Sequence, residues 1–305
     1  MKASFILILC VFIVSTSGAQ TPLKLNLVQG KEYLQNSDMK MTMTQSFGGQ
    51  SMDVVVAVKG GMKYLVKAVT PTAYDIDVTY ETMSMEMQMP QATMKFSSEN
   101  PATDDMVSQV LAGMVKKPFQ VQLSKSGKVL SVKNIESLFS TAFDKLPNLS
   151  EAQKAQVKGQ LEQSYGEKAF ASSIEMMFAI FPDKPVKIGE KWTTQTKLKS
   201  GVTAEVSTTF EYAEEGADFR RIHGDSKITA EENGEYISSN GMDMKFNMNG
   251  TMISDIKVDK KTGWVLEAKI MQEIAGDAHV KGNAQMPDGM SIPMTIKTEI
   301  VNTSN

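Results

Sequence analysis

One cysteine, two histidines and two arginines are all that this 305-residue sequence holds of the groups most used in thiolate, imidazole and guanidinium chemistry. Cys10 sits inside an N-terminal apolar run, so the rest of the chain has no thiol, no disulfide and no thiolate ligand for a metal. Arg220 and Arg221 are adjacent, and clamps for phosphate or carboxylate favour arginine over the abundant lysine. His223 and His279 stand in no spacing that suggests metal ligation or a triad. The G-x-S-x-G, H-E-x-x-H, P-loop and G-x-G-x-x-G patterns are missing. Asp104-Asp105 and Glu214-Glu215 are adjacent carboxylates, but neighbours along a strand point to opposite faces; they read as a helix start and a turn. Only the pair Arg220-Arg221 with His223 speaks for a hydrolytic or transfer enzyme, so no catalytic residue, metal or cofactor is assigned. The net charge of −3 offers no basic footprint for nucleic acid. The longest late apolar run, Met176 to Phe181, is far short of the ~20 residues a membrane helix needs. No stable membrane insertion is expected.

What is present begins with an export signal. Lys2 supplies a positive start, Phe5 to Val14 an apolar run, and Ser17-Gly18-Ala19 a small-residue cleavage site. Cleavage near Ala19/Gln20 is expected, with delivery to the periplasm or the exterior. It removes residues 1–19 and Cys10 with them. The roughly 290 residues left can bury about three quarters of the unfolded chain's surface.

Alternation of apolar and polar residues dominates both ends of that chain. Leu23, Leu25 and Leu27 alternate with Lys24 and Asn26, predicting a strand over 23–28. Met39, Met41 and Met43 share one face of a second. Gly48-Gly49 and Gly60-Gly61 both read as turns, separating strands over 52–58 and 63–69. Tyr74, Ile76, Val78 and Tyr80 line one face of a long strand, continued by Met83, Met85, Met87 and Met89 in shifted phase. A β-bulge near Glu81-Thr82 accounts for the shift.

The period then changes to three and four. Helices are predicted at Met106–Val115 with Thr103 as cap, at Ile135–Leu146 capped by Asn134, after the Ser150/Gln153 capping box, and at Phe170–Phe181. From Pro185 strands return, among them a row with Met242, Met244, Phe246 and Met248 on one face.

Two segments echo each other. Val121–Lys133 resembles Ile256–Lys269, each a strand, a Lys-and-Gly turn and a strand. Val28–Tyr33 resembles Lys187–Trp192, each a glycine turn, two charges and an aromatic. The expected fold is therefore α+β and mostly β. It is a duplicated antiparallel β-meander, as two curved sheets or half-barrels, with about four helices inserted between the halves. The expected segments are a first β-rich half over 20–133, a helical insert over 134–184 and a second half over 185–305.

The 23 methionines are the most distinctive feature. A one-sided apolar core explains strand rows of this kind, each buried methionine contributing roughly 1.5–3 kcal/mol. Thioether surfaces also adapt to varied apolar partners, which points to a lipid or other apolar small molecule held between sheet and helices. Its expected lining is Met83, Met85, Met87, Met242, Met244 and Phe246, with Phe139 and Phe143 as a lid. Cu(I), which soft thioethers select, is the alternative occupant.

The segments Gly30-Lys31-Glu32-Tyr33, Lys117-Pro118-Phe119, Lys125–Leu130 and Phe181–Trp192, with the methionine strands, resemble an uncharacterised family of exported Bacteroidetes-type proteins. The resemblance covers nearly the whole mature chain and implies no activity. A looser likeness of architecture is to periplasmic lipoprotein and lipid carriers, which close a curved antiparallel sheet with helices.

Overall fold

The computed structural model describes residues 21–47, 49–143, 158–159, 162, 166–200, 202–230, 236–239, 242–282 and 288–304. The signal segment and most of the expected third helix, over 150–165, lie outside the described residues. The first half runs β1 (Glu32–Phe47), β2 (Gln50–Val69), β3 (Ala73–Met89), β4 (Ala92–Ser97), α1 (Met106–Met114), β5 (Pro118–Ser124) and β6 (Val129–Lys133). Helices α2 (Ile135–Phe143) and α3 (Glu167–Phe178) follow. Then come β7 (Lys191–Ser200), β8 (Val202–Glu215), β9 (Phe219–Ala230), β10 (Ile237–Ser239), β11 (Met242–Asp259), β12 (Val265–Val280) and β13 (Met290–Thr303). Three helices are thus described rather than four. The cap of α1 is Asp105, not Thr103: its carboxylate accepts from the Ser108 N–H at 3.0 Å.

The strands form one antiparallel sheet, not two. Its order is β6-β5-β3-β2-β1-β13-β12-β11-β9-β8-β7, with β4 on β3 and β10 on β11. The first and last strands join the halves, with Met41 opposite Thr298. Pro293 lies just past the end of this ladder, at Gln45 opposite Met294, where no partner on β1 asks for its missing N–H.

Eleven strands laid flat would span roughly 48 Å from β6 to β7. Yet one short helix touches both edges. On the β6 side, the Val129 N–H donates to Glu175 Oε1 at 2.9 Å. On the β7 side, Ser172 Oγ donates to the Lys197 carbonyl at 3.3 Å, and Trp192 Nε1 to the Ile180 carbonyl at 3.0 Å. The sheet must therefore wrap around, and α3 fills the gap between its edges. Covering an edge in this way removes a template for unwanted strand addition. The seal is tight at Gly127: its φ is +85°, and a Cβ there would lie 1.9 Å from the Phe178 carbonyl oxygen.

The wrapped end is filled. Trp264 packs against Tyr33, Tyr64 and Phe178 with centroids 4.7, 5.2 and 4.9 Å apart. Residues 23–28, expected as a strand, form no ladder. They keep their alternation, with Leu23, Leu25 and Leu27 buried, but run as a strap held by one bridge, Thr21 to Val186, and by side chains. The Tyr74 hydroxyl donates to the Leu25 carbonyl at 2.9 Å and accepts from the Leu27 N–H at 3.2 Å. The Asn26 N–H donates to the Thr262 carbonyl at 2.7 Å.

Gly60-Gly61 is not a turn: β2 runs through it unbroken. The glycines lie where β3 bulges, since Gly61 faces Thr82 and Met62 faces Tyr80, leaving Glu81 as the extra residue. A Cβ on Gly61 would come within 3.1 Å of Thr82 Oγ1, so crowding beside the bulge explains the small residue.

The two halves open with one hydrogen-bond pattern. The Gly30 N–H donates to the Val66 carbonyl and the Val66 N–H to the Lys31 carbonyl. The Gly189 N–H donates to the Tyr212 carbonyl and the Tyr212 N–H to the Glu190 carbonyl. A register shift follows each partner, at Val66/Ala68 and at Tyr212/Glu214.

Candidate ligand-binding face

Cross-strand partners point to the same face, so the register sorts every side chain. Inward on β1 are Tyr33, Gln35, Ser37, Met39, Met41, Met43 and Gln45. Opposite them on β2 lie Tyr64, Met62, Gly60, Val58, Val56, Val54 and Met52, and β3 continues with Tyr80, Met83, Met85 and Met87. On β13 the inward set is Met294, Ile296, Thr298, Ile300 and Asn302. On β12 it is Ala268, Ile270, Gln272, Ile274, Gly276 and Ala278, and on β11 Met244, Phe246, Met248, Gly250, Met252, Ser254 and Ile256. None of these carries a charge. The alternate positions do, and they pair in water: Lys59–Asp38 at 2.7 Å, Lys95–Glu86 at 3.1 Å, Lys257–Glu267 at 2.6 Å and Lys297–Glu273 at 3.5 Å. A barrel embedded in lipid needs the reverse, an apolar outside.

The inward face divides into two zones. Near Trp264 it is packed solid. Beneath α3, the space among Met176, Phe210, Met252 and Ile270 measures about 20 Å³, room for one water. In the other zone burial falls off along the strands. On β3 Met83 is 8% exposed, Met85 and Met87 are half-buried, and Met89 is 36% exposed. On β2 the sequence is Val56 at 8%, Val54 half-buried and Met52 at 44%. Met39, Met41, Met43, Ile274, Ile296, Met244 and Phe246 are half-buried too. Met43, Met244, Phe246, Ile274 and Ile296 pack against a small buried cluster of Met248, Ala278 and Met294. The result is an apolar trough, with Met52, Met89 and Met94 exposed at one end. From Ser37, level with Met83, to Met43 it runs roughly 20 Å along the strand. One acyl chain occupies half of a hydrocarbon core of ~30 Å, so the strip is at least as long as one such chain.

The residues expected to line a ligand site separate accordingly. Met85, Met87, Met244 and Phe246 lie on the trough face. Met83 marks its inner limit, buried in the main core, and Phe139 is wholly buried there and forms no lid. Met242 is in β11, and the side chains of Met242 and Phe143 lie outside the described residues. The β3 and β11 rows are not neighbours: β2, β1, β13 and β12 stand between them. Nor do the β1 and β3 methionines touch as one row, since Val56 and Val58 intervene at a spacing of roughly 10 Å across two strand gaps. Sequence reasoning missed Val54, Val58, Ile274 and Ile296 as trough residues, and Gln35 and Asn302 at and just beyond its inner limit. The methionine rows drew attention from the β-branched residues beside them.

Arg220, Arg221 and His223 do not converge. His223 lies on the outer face between Asp225 and Asp255, at 3.6 and 3.5 Å. Arg221 pairs outward with Glu214 at 2.8 Å. Arg220 turns to the other face, where Glu215 takes Lys260 at 2.6 Å and the Tyr212 hydroxyl at 2.8 Å. The Lys260 hydrogen bond, then that of Tyr212, holds the Glu215 carboxyl below its ordinary value, while burial and Glu215 push Tyr212 up to about 12. A lowered carboxylate adds stability above its unfolded pKa and loses it as pH falls through the folded one. Glu215→Gln is therefore expected to lower stability at pH 7 by less than about 1 kcal/mol. The difference from the native chain should close in urea titrations as pH falls below the ordinary glutamate range.

A cleft of about 610 Å³ lies elsewhere, between α3 and β7–β9. Lys128, Lys168, Lys197 and Lys227 line it together with Glu167, Glu175 and Glu205, a wet flank of mixed sign unlike the trough. Among the described residues no group of three or more His, Cys, Asp or Glu side chains could hold a metal ion, and no helix is long and apolar enough to cross a membrane.

The fold and its faces thus define a class: an open antiparallel β-wrap, charged outside, uncharged along the inward face of β1–β3 and β11–β13, plugged by a helix. The chain belongs to a family of unknown function, DUF6263, whose pattern matches residues 71–265, from the start of β3 to the start of β12. The trough strands β1, β2 and β13 fall wholly outside that match. No curated protein matches the sequence. Among solved structures, lipovitellin, described for its lipid–protein interactions, is similar at 7% identity and a TM-score of 0.47 over 92% of this chain. The chain spans 25% of the lipovitellin chain's length. An outer membrane channel from Pseudomonas putida F1 aligns at 7% identity and a TM-score of 0.26, over 92% of this chain and 97% of the channel. OmpF of Salmonella typhi, solved with daunomycin, aligns at 6% identity and 0.21, over 92% of this chain and all of OmpF (100%). None of the three scores reaches the level of a shared fold.

Proposed function

We propose that this protein is an exported, non-enzymatic carrier that holds an apolar small molecule, such as a lipid, in the trough on the inner face of its sheet. One observation carries the reading: half-buried inward residues free of charge, beyond the zone that the helices fill. Apolar surface left half-covered on this scale marks a binding site more often than an idle face, and flexible thioethers suit ligands of varied shape. The location differs from the expected space between sheet and helices, which is packed. The signal pattern of residues 1–19 supports export of the carrier to the periplasm or the exterior. The matched glycine turns and register shifts support an origin by duplication, with β1, β2 and β3 equivalent to β7, β8 and β9.

Native mass spectrometry of the protein purified from its own host tests the reading. The expected spectrum contains a co-purified apolar molecule lost on collisional activation. A bare polypeptide mass, together with no uptake of an apolar dye, would refute it. Cu(I), selected by thioethers, is the competing occupant; an anaerobic competition titration with affinity above that of free methionine would favour it instead.

A further inference from the structure

At and just beyond the inner limit of the trough, three polar atoms of two buried amide side chains have no partner. Gln35 is 1% exposed and Asn302 4%. Among the described residues neither oxygen of the pair, Gln35 Oε1 or Asn302 Oδ1, nor the Gln35 Nε2, has a hydrogen-bond partner. Both side chains point inward: Gln35 stands opposite Met62, and Asn302 opposite Ser37 and Ala268. Ser37 follows Gln35 on the same face, so the two amides are diagonal neighbours, roughly 7–8 Å apart and within reach of one small polar group. A buried polar atom left unpaired costs about 1–3 kcal/mol, so two such side chains side by side call for a partner.

We infer that Gln35 and Asn302 receive the polar end of an uncharged amphiphile whose head both donates and accepts hydrogen bonds, with its tail lying along the methionine rows. The inference rests on the trough being the binding face. Two of the three orphan atoms are acceptors, which need donors from the ligand. Carboxylate and phosphate anions only accept, and the inward positions around the pair offer no cation to neutralise one. A hydroxyl or diol head answers both needs. Flexible methionines can give way to a chain that reaches the pair.

The test uses the mature full chain, an apolar fluorescent dye, and 1-monooleoylglycerol and oleate as competitors at pH 8, where oleate is ionised. Dye uptake reports the trough itself; its absence refutes the carrier reading. Given uptake, monooleoylglycerol is expected to displace dye at least about tenfold better than oleate. Asn302→Leu and Gln35→Met are each expected to cut that preference, read as the ratio of displacement by the two lipids within one variant, to about twofold or less. Equal displacement by the two lipids, or a preference unchanged in whichever variant folds, overturns the inference and leaves the trough standing. Unchanged preference with raised stability would assign the two amides to a trapped water.

Discussion

Trp264→Ala is expected to destabilise the protein by about 3–5 kcal/mol, the usual cost of emptying a large aromatic site. Trp264 is buried at the start of β12 and touches three rings from three other parts of the chain: Tyr33 of β1, Tyr64 of β2 and Phe178 of α3. Its Nε1 donates to Ser304 Oγ at 3.0 Å, and that hydroxyl donates to the Leu34 carbonyl at 2.8 Å. One side chain thus ties the last residues to the first strand and the plug to the sheet. Domains have about 5–15 kcal/mol to lose, so the variant should show a greatly lowered urea midpoint and a weakened near-ultraviolet signal. Trp264→Phe keeps most of the buried area and should cost less than half as much; equal loss in both would assign the effect to the indole hydrogen bond.

Met41→Glu is expected to weaken uptake of an apolar dye at least tenfold, since a carboxylate in the trough must be either desolvated or protonated. Its neighbour Thr42 points to the outer face, where it stands opposite Lys297, and Thr42→Glu should leave uptake within about twofold. The contrast between adjacent positions separates a binding face from a general loss of folding. Circular dichroism checks that both variants keep the sheet. Equal loss at the two positions, or none at either, would contradict a site on the inward face.

Much of this arrangement is legible in the sequence because alternation reports burial directly. The phase change between Tyr80 and Met83 locates the Glu81 bulge, and the spacing of Ile135, Leu138 and Ala142 locates α2. The failures share a cause. Alternation says which residues are buried, not what satisfies the backbone, so Leu23, Leu25 and Leu27 look like a ladder strand although tyrosine side chains and a loop hold them. Gly60-Gly61 carries the composition of a turn, but its small size serves a bulge on the next strand, which only the pairing reveals. The choice between two sheets and one depends on Met41 meeting Thr298, a contact no local pattern encodes. The candidate site was half visible. Methionine rows mark the inward face, yet a filled core and an open trough share the same pattern, and a lone Gln35 between Tyr33 and Met39 reads as an ordinary polar residue until its lack of a partner is seen.

The pairing of β1 with β13 has a consequence in time. β1 finds its second neighbour only when β13 has been made, so the sheet stays split through its middle until then. Contacts so distant in sequence close slowly, and in the interval β1 keeps an open edge beside the uncharged inner face, the combination most prone to wrong association. The order of the strands therefore delays completion of the sheet until β13 is made, and a sheet still split is a chain that can be kept extended.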